Sequence, residues 1–581
     1  AELPARSIVR GLHSLASLRG RGLPLGAQGG EFCAAAVAEL GGRVRELEVR
    51  DIGFAFQGLD MFARAGPLPG CGGLLRAMYA EVQRQIPALT VDDALRIARA
   101  AVRLGNIERP GVVGELLAAE LLRELRTLGP QRLCDAVVTF SHLRFQSPGF
   151  VSSLSHAFVV QLPKCPPRQL TVTLHSLTKM GLQDSRAYSQ AASNIMRNSL
   201  GFASRDLALS LWAFAKSQQF NRKLFFHVQE ALKGHDVPAM RAADVSMLLW
   251  SFSRVQWDVD RDLLSRFAHR AAVGSRDFSR AALLVTCLAF ARFRFAQQPV
   301  LVELYRSLYA KLPRLSHPQL AFSFFLFSTS GVRDASLLSR FLFESRQRLP
   351  HLCGQDIGNV ALAVSRTVKM SPGLGTEPHG QALGEELKRR VLGQLPSLGP
   401  TPLIAVYLAM PRQLAFSLDE RTRLTDALEV HLPEMSGAEL TQCLLATSQL
   451  RWVHMGFLLP LFRYLRKVRD QLSPSEVVTC ISSVYTLGYC RYNFRRALGF
   501  RLQHHVRAFG LPARTLRDVL PALSHLGYWE RLPAPLRRSV WGLAGADLRG
   551  HAAEPPAPRP PAEGRRLRAP IEGADRGGPC A

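Results

Sequence analysis

Lysine is scarce in this chain of 581 residues: nine Lys among 73 basic residues leave 64 Arg. Part of that bias is drift toward Arg codons, but drift does not remove acids, and only 46 Asp and Glu stand against the bases. Paired cysteines are missing too. The ten Cys stand singly, with no CxxC and no Cys/His spacing of a zinc site, which excludes a disulfide framework and a structural zinc module. Most sit in apolar runs as small hydrophobes, as expected in a reducing compartment. No apolar run approaches the ~18 residues that span a bilayer; the longest, Leu320 to Leu326, ends in Ser-Thr-Ser. Also absent are GxxxxGK[ST], GxSxG, HExxH and the Rossmann glycine pattern, so no enzyme, cofactor or small-molecule substrate is expected. His504 and His505 are helix neighbours that do not face one site.

What is present is a folded composition, 47% hydrophobic and 20% charged, with a net charge of +27 and a pI near 10.5. Such an excess suits a polyanion, and counterion release makes nucleic acid the natural one. The length corresponds to about three or four ordinary domains or to one extended array.

Two segments expose a repeat: Asp206-Leu-Ala-Leu-Ser-Leu-Trp-Ala-Phe-Ala-Lys216 and Asp244-Val-Ser-Met-Leu-Leu-Trp-Ser-Phe-Ser-Arg254. With Leu207 as anchor, and apolar residues required at +4 or +5 and at +7, further anchors fall at Leu95, Leu133, Leu170, Val245, Leu283, Leu320, Ile357, Leu403, Leu440, Val477 and Leu516. Successive gaps are 38, 37, 37, 38, 38, 37, 37, 46, 37, 37 and 39 residues, so one insertion interrupts a steady period. Each unit reads as two helices, the first with its apolar face at 0, +4 and +7. Ser316-x-x-Gln319, Ser436-x-x-Glu439 and Ser473-x-x-Glu476 are capping boxes in register. The pattern predicts an all-α solenoid of about 11–13 antiparallel helix pairs of about 37 residues. Residues 1–50 read as a basic segment with a degenerate unit near Ile8, and 51–548 as the array, with clear units from about 93 and a loop insertion near 371–384. Residues 549–581 read as a disordered Pro/Arg/Gly-rich tail. The Arg-rich, acid-poor start of the chain is leader-like.

Position +9 holds His142, Lys179, Lys216, Arg254, Arg292, Thr329, Arg366, Arg412, Gln449, Thr486 and His525, and no acid. Stacked units align equivalent positions, so His142, Lys179, Lys216, Arg254, Arg292, Arg366 and Arg412 form a candidate RNA-binding row that tracks phosphates. The helix macrodipole also favours cations there and accounts for the row equally well. Aromatics recur at +12 (Phe145, Trp257, Phe295, Trp452, Tyr489, Tyr528), where closing the interhelix turn outweighs base stacking as an expectation. Trp212 and Trp250, at +5, are expected to be packing residues.

A 37-residue helix pair with the core quoted at 206–216 resembles the heptatricopeptide repeats of alveolate protists. It is similar as well to the octotricopeptide repeats of green algae and the helical part of FAST-kinase-like proteins. The resemblance covers about 95–548 and is best at 206–216 and 244–254. It implies work on organellar RNA: stability, processing or translation, or holding rRNA in a mitoribosome beside ribosomal proteins. The expected partner is RNA, single-stranded or an rRNA segment, and the expected location the mitochondrial matrix, with the plastid as alternative. The Pro-Pro-Pro-Glu-Trp signature of many octotricopeptide repeats is absent, which favours the heptatricopeptide side. No RAP domain is found either, so RNA cleavage is not expected. A different class remains open: a HEAT-like scaffold whose grooves take protein helices. Charge lining one face favours RNA; scattered charge with an exposed apolar groove favours the scaffold.

Overall fold

The computed structural model describes residues 3–20, 27–63, 71–85, 88–104, 110–198, 201–295, 297–370, 378–410, 416–509, 516, 519–538 and 540. Every element among them is helical. The chain divides into two compact units, Ala1–Leu387 and Lys388–Ala581. Within each, helix pairs follow one another in series, first helix on first helix and second on second, as in an α-solenoid.

In the first unit, each anchor opens a pair. Leu207 lies in Ser204–Lys216, followed by Arg222–Lys233; Val245 lies in Ala242–Arg254, followed by Arg261–Val273. In the second unit the first helices are Pro400–Ala409, Gly437–Leu450 and Pro474–Leu487. The first helices are the buried layer. In Ser204–Lys216 every residue from Asp206 to Ala215 is buried except Trp212, which is half-buried. A helix enclosed by the preceding first helix, the following one and its own partner has little surface left. Small residues such as Ala208, Ser210 and Ala213 permit that close approach. Buried hydroxyls here find the backbone of their own helix: Ser210 Oγ donates to the Asp206 carbonyl at 2.8 Å, and Thr178 Oγ1 to that of Leu174 at 2.7 Å, while those of Thr286 and Ser483 have no such partner among the described residues.

The turn inside each pair is stereotyped. Position +11 is left-handed at Arg144, Gly181, Gln218, Gln256, Arg294, Gly331, Arg451, Gly488 and Gly527. The amide at +12 then donates back to the carbonyl at +7, as in Trp257 to Phe252 at 2.9 Å and Phe295 to Phe290 at 3.0 Å, a Schellman closure. The +12 aromatics lie over this turn: Phe145 packs on Phe140 and Phe150, and Trp257 Nε1 donates to Gln229 Oε1 at 3.0 Å. They are packing residues. Five second helices open on a side-chain cap, from Asp184, Asn221, Asp260, Asp334 and Ser417, whereas those after Ser147, Gln297 and His454 have none. The three expected capping boxes are formed, and Ser417–Glu420 makes a fourth.

Second helices carry donors that clip one repeat to the one before. Arg348 donates to the carbonyls of Leu315 at 2.7 Å and of Leu312 and Pro313 at 3.2 Å. Arg266 reaches Lys233 and His235, Arg270 reaches Met240, and Arg501 reaches Leu472. Guanidiniums paired with carbonyls hold the array together without cancelling charge, so part of the Arg excess is structural.

Two of the bounds read from the sequence fall inside helices, at 50/51 in Val49–Ala63 and at 384 in Pro378–Gln394. Residues 1–50 contain the helix pair Ala5–Gly20 and Ala27–Arg43, where the degenerate unit near Ile8 was expected; Ala5–Gly20 packs on the next first helix, Val49–Ala63, with Ile8, Val9, Leu12 and Ala16 buried, and Arg6 Nε lies 3.3 Å from Asp51. The leader-like stretch therefore includes a core helix. Of the 371–384 insertion, 371–377 lie outside the described residues, while 378–384 begin the helix Pro378–Gln394, with Pro378 at the first position where its missing N–H costs nothing. The 549–581 tail is likewise outside the described residues.

Candidate nucleic-acid interface

At about 100° per residue, positions −2, +2, +5 and +9 of a first helix fall within about 60° of one another. This is the stripe that neighbouring helices leave uncovered. In Ser204–Lys216 it consists of exposed Arg205, Leu209 at 7% exposure, half-buried Trp212 and exposed Lys216. The same stripe recurs through the first unit from the Leu170 repeat to the Ile357 repeat.

Along it, +9 holds Lys179, Lys216, Arg254 and Arg292, each the last residue of its helix and exposed. Among the described residues no acid or carbonyl pairs with these four. That sets them apart from the clipping arginines and from cations such as Arg241, which holds the buried Asp244 at 2.7 Å. The helices that carry the row pack consecutively, and the Arg292 guanidinium is held below its usual range by partial burial and by the charge of Arg254. His142 also ends its helix, Pro130–His142, and is exposed. Arg366 departs from the pattern. Its helix continues to Met370, and the side chain is half-buried with its guanidinium carbon 4.8 Å from the ring centroid of Phe325, the +5 residue one repeat earlier. Arg412 lies outside the described residues.

At +5 the tryptophans make ring contacts with their neighbours and also keep part of their surface open. Trp212 and Trp250 are half-buried on the open stripe rather than enclosed, because the neighbours that cover 0, +4 and +7 do not reach +5. His175, Trp212 and Trp250 form a continuous line of rings, with centroids 4.6 Å apart at the first step and 6.1 Å at the second. The His175 imidazole is pushed down to about 4, chiefly by burial and then by Lys179, His142 and Arg205, so it is neutral at physiological pH. Of these cations, Lys179 ends the helix that carries His175 and Arg205 lies in the first turn of the next first helix. From Leu170 to Ile357 no acid occupies −2, +2, +5 or +9. His175 and Arg205 escaped the sequence reading, which named Trp212 and Trp250 only as packing residues, although the i, i+4, i+7, i+11 spacing of 205, 209, 212 and 216 was there to find. At the far end of the row, Arg254, Arg292 and the left-handed Arg294 line an open bay of about 550 Å3 with Trp257 and one acid, Asp258.

Elsewhere the chemistry is sparse. Among the described residues no group of His, Cys, Asp and Glu could hold a metal ion, and no helix is long and apolar enough to cross a membrane. Cys287, Cys443 and Cys480 are buried, which pushes each thiol up to about 12 and leaves it inert near neutrality. His505 is buried against the Leu472 carbonyl at 2.8 Å. In the second unit Arg469, Arg496, Arg501 and His504 border a groove of about 470 Å3, but Arg501 is committed to carbonyls and Arg469 lies 3.5 Å from Asp470.

No family model matches the chain, and no curated protein matches it. Among solved structures it is similar to a chain of a homology model of the full-length AP-3 complex in an intermediate open conformation. The identity is 9% and the TM-score 0.28, over 93% of this chain and 90% of that one. It is also similar to a circular tandem repeat protein with novel repeat topology, at 14% identity and a TM-score of 0.13, over 91% and 100%.

Proposed function

We propose that this helical-repeat protein binds RNA along the open stripe of its first helices and acts in an organelle, the mitochondrion first, on RNA stability or processing or as a holder of rRNA. The observation that carries the RNA reading is the row Lys179, Lys216, Arg254 and Arg292: consecutive in space, exposed, and without acid partners among the described residues. First helices in contact stand about 8–10 Å apart, a little more than successive phosphates of an extended strand, so one strand can follow the row with modest curvature. Each phosphate neutralised releases counterions, which supplies affinity independent of sequence. The organellar assignment rests on the resemblance of residues 206–216 and 244–254 to heptatricopeptide repeats.

Crosslinking the protein to RNA in cells and sequencing the attached fragments tests this reading. Enrichment of mitochondrial transcripts or rRNA is expected. Recovery of no RNA above background removes the proposal, and recovery of plastid RNA alone moves it to the other organelle.

The scaffold reading has one observation in its favour. Leu122, Leu125, Ala157 and Val160 line an open groove of about 850 Å3 beside the second helices Pro110–Glu124 and Pro148–Gln161, and Val160 is 60% exposed. The groove is not part of the first-helix stripe, so a protein partner there and RNA on the stripe are compatible.

A further inference from the structure

We infer that the stripe takes an unpaired strand with its bases turned inward onto the line of rings His175, Trp212 and Trp250, while its phosphates lie on the +9 row. This rests on the RNA reading above and goes further, since phosphate contacts alone do not distinguish single strands from duplexes.

Three observations carry it. The rings are continuous across consecutive repeats, at 4.6 and 6.1 Å, and all three are half-buried, so each presents surface to solvent. The rings at +7, Phe214 and Phe252, are enclosed, whereas those at +5 keep part of their surface open beside the cations of the stripe. Cations stand on both sides of the line: Arg168 and Arg205 at −2, and Lys179, Lys216 and Arg254 at +9, all exposed. Finally, His175 is neutral, so it extends the aromatic surface instead of adding a buried charge.

The dimensions select a single strand. From +5 to +9 is about 6 Å along a helix axis and from −2 to +9 about 16 Å. The shorter distance is comparable to the reach from a phosphate to the base it carries. A strand with its backbone on the +9 row thus sets its bases over +5. A duplex presents phosphates outward and keeps its bases stacked on each other, so it touches the cations without reaching the rings. Stacking on aromatic faces tolerates every base, so the binding is expected to be broad in sequence.

The test uses the full chain and three probes: an oligouridylate, an RNA duplex of equal length, and inorganic polyphosphate. Oligouridylate is expected to quench tryptophan emission and to bind more tightly than the duplex; polyphosphate is expected to bind without quenching. Trp212→Leu with Trp250→Leu should weaken oligouridylate binding about 5- to 150-fold per stacked base lost and leave polyphosphate binding unchanged. Trp212→Phe with Trp250→Phe, which retains a ring at each position, should recover most of that affinity. Circular dichroism confirms that each variant is folded. Wild-type affinity of the Leu variant for oligouridylate, or equal binding of strand and duplex, overturns the stacking inference while leaving the phosphate track standing. If neither RNA nor polyphosphate binds, the track falls as well.

Discussion

The rings of Trp212 and Trp250 lie 6.1 Å apart although 38 residues separate them, the same step that separates the anchors Leu207 and Val245. Equivalent positions in consecutive repeats are therefore neighbours, and a property of one position becomes a property of a row. Each of the following expectations depends on that register.

The left-handed residue at +11 should control stability through the backbone alone. A Cβ added at Gly181 meets nothing within 4 Å, so Gly181→Ala is strained only by its φ of +92°. It should cost about 1 kcal/mol. Gln218, at φ +61°, should gain about 0.5–1 kcal/mol on replacement by Gly. Urea unfolding measures both; a stabilising Gly181→Ala would show that the turn is not what closes the pair.

Arg348 should be irreplaceable by Lys. Its guanidinium serves the carbonyls of Leu312, Pro313 and Leu315 together with the buried Glu344, which lies 3.1 Å away. Arg348→Ala leaves carbonyls unsatisfied and Glu344 with Arg340 alone, a loss of about 2–3 kcal/mol. A lysine cannot reproduce the fork and should recover less than half of it. Full rescue of the unfolding midpoint by Arg348→Lys would mean that only the charge matters.

The period, the anchors and the capping boxes were legible in the sequence because each unit repeats one packing problem with one solution. The left-handed +11 position was visible at Gly181, Gly331 and Gly488 but hidden at Arg144, Gln218, Gln256 and Arg294, where no glycine marks it. The clipping arginines could not be read, since their acceptors are carbonyls about 30 residues away whose exposure depends on the turn before them. Of the candidate row, Lys179, Lys216, Arg254 and Arg292 each end a first helix and are exposed. Arg366 does not, because its helix runs one further turn and its side chain finds Phe325. That Trp212 and Trp250 keep part of their surface open was not legible, because exposure at +5 follows from which faces the neighbouring helices cover.

Acidification should weaken the first unit through His175. Its folded pKa, about 4, lies below the ordinary value near 6.5, so the unfolded chain binds the proton more readily. Stability is then complete above pH 6.5 and falls as pH drops through 6.5 toward 4. With solvent screening allowed for, the contribution at pH 5 relative to pH 7 is roughly 1–2 kcal/mol. Thermal midpoints of wild type and His175→Phe between pH 7 and 5 should diverge, the variant falling less; parallel curves would place the proton elsewhere.

The phosphate track is tested most directly by the salt dependence of binding to a single-stranded RNA. In the variant Lys179→Gln, Lys216→Gln, Arg254→Gln, Arg292→Gln, each lost phosphate contact should lower the slope of log K against log salt by ~0.7, up to about 3 units in all. Stability should change by under ~0.5 kcal/mol per site. If the four cations serve only the helix macrodipole, the variant instead loses ~0.3–1 kcal/mol per site and binds RNA with the wild-type slope, which would contradict the track.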